Sequence, residues 1–138
     1  MADVTVTAAN VELVDGNTGV LTAGATITAG QAIYKDTSDS NKAKLADADA
    51  GTTLAATVEG IALSGATSGN KVTFAKLGAE VDIGGTVSMG RVYVLSGTAG
   101  AIAPEADLAT SDRCSVIGYA TSATNLKLTL NNTDVTLP

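Results

Sequence analysis

The sequence predicts an all-β protein, a small sandwich or barrel built from two duplicated β units with short turns. Three observations carry that expectation. Short apolar stretches rich in Val, Ile, Leu and Thr alternate with Gly/Ser/Thr-rich turns at a spacing of roughly 8 to 12 residues, the pattern of many short strands. A segment also recurs: Thr26-Ile27-Thr28-Ala29-Gly30-Gln31-Ala32-Ile33-Tyr34 stands sixty positions before Thr86-Val87-Ser88-Met89-Gly90-Arg91-Val92-Tyr93-Val94. Finally, helix signals are confined to residues 46–50 and 104–110, each long enough for one short turn, the second with Pro104 first and Glu105 near the positive end of the dipole.

The elements follow in order. Asp3, Val4, Thr5, Val6 and Thr7 alternate polar and β-branched side chains, so residues 1–10 read as an extended N-terminal arm. A single domain over residues 11–130 follows, made of repeats 11–70 and 71–130, and residues 131–138 form a polar C-terminal tail. Within each repeat, Gly30 and Gly90 occupy the third position of a four-residue turn, where a type II turn requires the left-handed backbone that glycine adopts without steric cost. Strands follow at 31–35 and 91–96, rich in Ile, Val and Tyr. Longer strands are predicted at 55–63 and 113–121, and each holds a glycine, Gly60 or Gly118, marking close packing or a bulge. Here the repeat spacing falls to fifty-eight, matching Val58-Glu59-Gly60-Ile61-Ala62-Leu63-Ser64 with Val116-Ile117-Gly118-Tyr119-Ala120-Thr121-Ser122. Residues 71–76 and 126–130 alternate as half-buried strands do, and Lys71-Val72-Thr73-Phe74 aligns with Lys127-Leu128-Thr129-Leu130. Because 71–76 both closes the first repeat and opens the second, the two share one compact domain.

Composition narrows the function classes. At 138 residues, 45% hydrophobic and only 3% aromatic, the chain must build its core from small and β-branched side chains, which lowers the stability expected of a monomer. Histidine is absent, which removes Ser/His and Cys/His nucleophile pairs and every His-containing zinc site. The lone cysteine, Cys114, has no partner for an intramolecular disulfide. A net charge of −6 repels nucleic-acid backbones and anionic membranes, so neither is an expected partner. No apolar run approaches the 18 or so residues of a membrane span. Without a basic, apolar leader or paired cysteines, synthesis in a reducing cytoplasm is expected.

The residues that might carry chemistry read more simply as structure. The carboxylate pairs Asp47/Asp49 and Glu105/Asp107 recur in both repeats, and recurrence fits turns and caps better than one asymmetric catalytic cleft. Asp36-Thr37-Ser38-Asp39-Ser40-Asn41 is oxygen-rich but lacks the glycine and terminal glutamate of a calcium loop. Ser68-Gly69-Asn70-Lys71 has the spacing of a serine–lysine pair, yet it enters a strand, where side chains three apart face opposite ways. Gly84-Gly85 opens no phosphate-binding helix and reads as a turn or bulge. Arg113 precedes Cys114, but a small residue within a strand fits packing better than reactivity. No catalytic residue, metal or cofactor is expected, and the chain does not read as an enzyme.

The segments Ala25-Thr26-Ile27-Thr28-Ala29-Gly30-Gln31-Ala32-Ile33-Tyr34, Ala43-Lys44-Leu45-Ala46-Asp47-Ala48, Val58-Glu59-Gly60-Ile61-Ala62-Leu63 and Gly69-Asn70-Lys71-Val72 together resemble the small head-decoration, or capsid cement, proteins of tailed bacteriophages. The likeness spans most of residues 20–130, although family members are often single units and this chain carries two. It implies an all-β structural protein on the outer capsid surface of the virion, bound to the major capsid protein, commonly as a homotrimer, with no enzymatic activity. The alternative from another class is a head or tail fibre or adhesion module binding a host-surface glycan, which needs exposed aromatic side chains for stacking. Attachment to the capsid is assigned to Asp3, Val4, Thr5, Val6 and Thr7, an alternating strand with no counterpart before the second repeat, suited to adding an edge strand to another chain's sheet. The competing expectation is that these residues pair within their own domain.

Overall fold

A computed structural model describes residues 3–138; Met1 and Ala2, at the start of the expected arm, lie outside the described residues. Eleven strands follow one another: β1 (Val11–Asp15), β2 (Thr18–Thr22), β3 (Ala32–Asp36), β4 (Lys42–Leu45), β5 (Gly60–Ala62), β6 (Lys71–Ala75), β7 (Glu80–Ile83), β8 (Val92–Leu95), β9 (Ile102–Pro104), β10 (Arg113–Ala120) and β11 (Asn125–Thr136). The protein is nearly all β, 45% strand and 4% helical, in two antiparallel sheets. The first sheet has five strands in the order β2-β6-β5-β3-β4, and the second has six in the order β1-β7-β11-β10-β8-β9.

With β1 set aside, the two orders are the same, each strand of the first sheet answering to one of the second. The registers agree as well. Gly19↔Phe74 and Val20↔Thr73 in the first sheet correspond to Val81↔Leu126 and Asp82↔Asn125 in the second, and Ile33↔Gly60 corresponds to Tyr93↔Gly118. The structural units therefore run from β2 through β6 and from β7 through β11, which corrects the boundaries 11–70 and 71–130. Lys71–Ala75 belongs to the first sheet alone. Sequence matching set Phe74 against Leu130, whereas the ladders set it against Leu126. The slip is even, so it preserves which side chains face inward and leaves no mark in the hydrophobic pattern.

The duplicated glycines do the same work twice. Gly30 and Gly90 have φ of +91° and +79°, and the amides of Gln31 and Arg91 close the turns on the carbonyls of Thr28 and Ser88 at 3.3 and 3.0 Å. A Cβ on Gly60 would lie 2.1 Å from the carbonyl oxygen of Ala75, and one on Gly118 would lie 1.8 Å from that of Lys127. Only a residue without a side chain lets the neighbouring strand come this near.

Alternation along the strands of the first sheet feeds two cores. Ile33, Ala62 and Phe74 pack with Ala23, Ile27, Ala43 and Val72 on one face. Ala32, Ile61 and Ala75 pack on the other, against Val81, Ile83, Tyr93, Leu95, Ile117 and Leu126 of the second sheet. The first sheet curls until Ala23, just beyond β2, forms a parallel bridge to Ala43 of β4. Alanine at Ala23, Ala43 and Ala62, each fully buried, suits so narrow a curl.

Three local expectations change. The strand predicted at 55–63 is only Gly60–Ala62, preceded by turns. Of the two helical turns, one exists, a single 3-10 turn at Glu105–Asp107 with Pro104 before it; residues 46–50 form a non-helical turn in which Asp47 Oδ1 accepts the Asp49 amide at 2.9 Å. The polar tail at 131–138 is largely strand: β11 continues to Thr136, opposite Arg113 of β10. Side chains fasten it, with Asn132 Oδ1 accepting the Val58 amide at 2.9 Å and Arg113 pairing with Asp134 at 2.6 Å. Hydrophobic periodicity does not register a strand held by its ladder and polar side chains.

Candidate functional site

Residues 3–7 of the N-terminal arm form no strand, residues 8–10 are a 3-10 turn, and the arm lies against its own domain. Val4 and Val6 turn inward and pack on the core between the sheets, while Thr5 and Thr7 are exposed. The Val4 amide donates to the Ile102 carbonyl of β9 at 2.8 Å, and the Thr7 amide to the Gly84 carbonyl at 2.8 Å. Ser96 Oγ donates to Asp3 Oδ1 at 2.6 Å. The arm thus crosses from the β9 edge of the second sheet to the end of β7.

Gly84 and Gly85, read from sequence as a turn or bulge, are the floor on which the arm lies. A Cβ on Gly85 would fall 2.1 Å from the Thr5 carbonyl oxygen, and one on Gly84, whose φ is +71°, would fall 2.5 Å from that of Thr7. Gly30 has a second role, because a Cβ there would lie 2.4 Å from Val6 Cγ1. A groove open to solvent follows the arm, lined by Asp3, Thr5, Thr7, Gly85, Thr86 and Pro104 among others. Sequence reasoning missed Gly84, Gly85, Ser96 and Ile102 as arm contacts. The available signal was that Gly84-Gly85, like the arm, has no counterpart in the other unit, where Thr22-Ala23 stands.

The remaining candidates are engaged elsewhere. Asp36, almost fully buried, accepts Lys44 Nζ at 2.8 Å together with the hydroxyl and amide of Ser38. The lysine ammonium, followed by the Ser38 hydroxyl, holds the Asp36 carboxyl down at about 2. Lys44 also meets Asp39 at 3.0 Å, and these carboxylates raise its own pKa above the ordinary lysine range. In the oxygen-rich loop, an ammonium group already lies between the two acids. Lys71 Nζ donates to Thr22 Oγ1 at 3.0 Å. Arg113, beside the half-buried Cys114, is committed to Asp134. Among the described residues, no group of three or more His, Cys, Asp or Glu side chains is placed to hold a metal, and no helix is long and apolar enough to cross a membrane.

Two further features lie on the surface. Val20 and Leu77, 57% and 63% exposed, flank a shallow groove floored by Phe74 with Lys35, Glu59 and Lys76 on its rim. Tyr119, 42% exposed, is the one large aromatic on the surface, since Tyr93 and Phe74 are buried and Tyr34 is half-buried. Compared with known proteins, the chain matches no family model and no curated protein.

Proposed function

We propose that this is a structural protein of a tailed-bacteriophage particle, bound to the major capsid protein on the outer surface of the head as a homo-oligomer, a trimer. The observation that carries this reading is where the residues of the cement-protein resemblance lie. Gly30 and Gly60, with the strands that follow or contain them, set the turn and the closest strand contact of the first sheet, and Gly90 and Gly118 repeat both in the second. The likeness therefore falls on residues that determine the fold. The chemistry is compatible, because the carboxylates of Asp36, Asp39, Asp47 and Asp134 serve turns and ion pairs. A scaffold with few aromatics gains stability when association engages only its folded state, and a lattice of neighbouring capsid sites turns modest contacts into avidity. A glycan-binding module finds less support, with Tyr119 alone on the surface to stack against a sugar.

On this reading the exposed face of the arm, Thr5 and Thr7 beside Asp3, is the first candidate for capsid contact, while Val4 and Val6 hold the arm in place. The test is to image particles assembled without the protein before and after adding it back. Regular new density at symmetric positions is expected, and bare particles at saturating protein would overturn the proposal. Thr5→Glu/Thr7→Glu alters exposed side chains only, so it separates capsid contact from folding. Normal melting with lost decoration supports the arm, whereas normal decoration moves attachment to another face.

A further inference from the structure

The two sheets close their seams differently. In the first, the chain continues past β2, and the amide of Gly24 donates to the Ala43 carbonyl of β4 at 2.8 Å. The corresponding carbonyl in the second sheet, that of Ile102 in β9, receives the Val4 amide of the arm, also at 2.8 Å. The second unit lacks the chain to close its own seam. Ile27 and Val87 hold equivalent places, their amides donating to the carbonyls of Ala66 and Ala123; Gly24-Ala25-Thr26 joins Ala23 to Ile27, but Thr86 alone joins Gly85 to Val87. Gly84 and Gly85 leave the opening bare, and a segment with β-branched residues at alternate positions fills it.

We propose that this seam is a strand-acceptor site, and that its partner is the N-terminal arm of a second copy of this chain. The arm that fills the seam in the structure defines the ligand: a carboxylate for Ser96, an amide for Ile102, valines for the core and a carbonyl against Gly85. Every copy carries that same ligand, so an arm arriving from a neighbour makes the same contacts. Among the described residues, two backbone hydrogen bonds and one from Ser96 fasten the arm beyond the two valines. Residues 8–10, all exposed, join the arm to β1 through a single 3-10 turn, closed by the Asn10 amide on the Thr7 carbonyl at 2.9 Å. Straightening that turn lets the arm leave its own seam while β1 stays in place, which is the geometry of segment exchange between protomers. This inference is independent of the capsid reading.

The test uses two full-length chains, one with Thr5→Cys and one with Thr86→Cys, both with Cys114→Ser. Both positions line the same groove and are exposed, so neither substitution disturbs the core. The two are unfolded together, refolded at high concentration and treated with a short thiol–thiol crosslinker. A mixed dimer about tenfold above that from a control pair of Thr5→Cys with Ser68→Cys is expected, since seating the arm raises the local thiol concentration. Adding Gly85→Val to the Thr86→Cys chain removes the excess. A yield equal to the control, or one unaffected by Gly85→Val, overturns the proposal.

Discussion

In the first sheet a carboxylate, Asp36, ends β3 and takes the Ser38 amide at 3.0 Å; in the second, Ser96 stands in that place, takes the Thr98 amide at 3.0 Å and turns its hydroxyl to Asp3 of the arm. The seams differ in the same sense, with Gly24 closing on Ala43 in one and Val4 reaching Ile102 from outside the repeat in the other. At both points the first unit is self-sufficient and the second depends on residues 3–7. What the comparison teaches is that the strand order and the registers around Gly60 and Gly118 carry the common fold, because they agree in both sheets, while the edges are where the copies diverged. An edge can be completed by any segment that supplies an amide, a carboxylate and two small apolar side chains.

The largest effects are expected where the copies agree. Gly118→Val and Gly60→Val each place a side chain against the backbone of the adjacent strand, and each should cost about 3 kcal/mol or more. Denaturant unfolding measures both. If one sheet tolerates its substitution and the other does not, the two glycines are not equivalent and the symmetry argument fails there.

The next effect separates the copies. Gly85→Val displaces the arm and exposes Val4 and Val6, which are already only partly buried, so a loss of about 2 kcal/mol is expected. The same measurement should show the rest of the fold intact, with hydrogen exchange accelerated at the Val4 and Thr7 amides. Ala23→Val, at the corresponding place in the first sheet, crowds a fully buried position and should cost about 1 to 3 kcal/mol without touching the arm. Protected arm amides in Gly85→Val would break the comparison.

Much of this fold was legible because its decisive residues are glycines and alternating apolar side chains. Gly30 and Gly90 announce turns that need the left-handed backbone, and the Val-x-Gly-Ile-Ala stretch around Gly60 announces a strand with a close neighbour. The unit boundaries were not legible, since an even register slip leaves the pattern unchanged and β2 contributes only Val20 and Leu21 as large apolar residues. The far half of β11 was missed because its stability comes from the ladder and from Asn132 and Asp134. The arm's alternation was visible, but its destination was not. Nothing in the local sequence says that Gly84-Gly85, some eighty residues away, is bare in order to receive a backbone.

A smaller effect is expected from Tyr93→Phe. The Tyr93 hydroxyl accepts the Ser88 amide at 2.9 Å, tying β8 to the turn that precedes it, whereas its counterpart in the first sheet, Ile33, has no hydroxyl to offer. Removing the acceptor costs about 1 kcal/mol. Unfolding of Tyr93→Phe that matches the unaltered protein would show that the turn at Gly90 holds without this bond, whereas at Gly30 the equivalent amide, that of Thr28, donates to Gln31 Oε1 at 2.8 Å.

The smallest effect concerns acid and confines it to one sheet. Asp36 is held at about 2 in the folded protein, against an ordinary 3.8, chiefly by Lys44 and then by Ser38. A carboxyl whose pKa is lowered by folding stabilises the fold while it is ionised. The contribution is therefore complete above the ordinary carboxylate range and declines as the pH falls from about 4 towards the folded value of about 2, where both states are protonated. Lys44 sets the opposite limit, its contribution being full below the ordinary lysine range and lost in strong alkali. The effect is small because Lys44, its partner, is 28% exposed and water screens the ammonium. Asp36→Asn removes the charge, so its melting temperature should lie below that of the unaltered protein at neutral pH and converge with it on acidification. A gap that stays constant down to pH 2 would mean that the Asp36 contribution comes from its hydrogen-bonded shape, which asparagine only partly copies, and not from its charge. Ser96, which stands at this position in the second sheet, does not ionise, so Ser96→Ala should lower the melting temperature by an amount that does not follow the Asp36 curve.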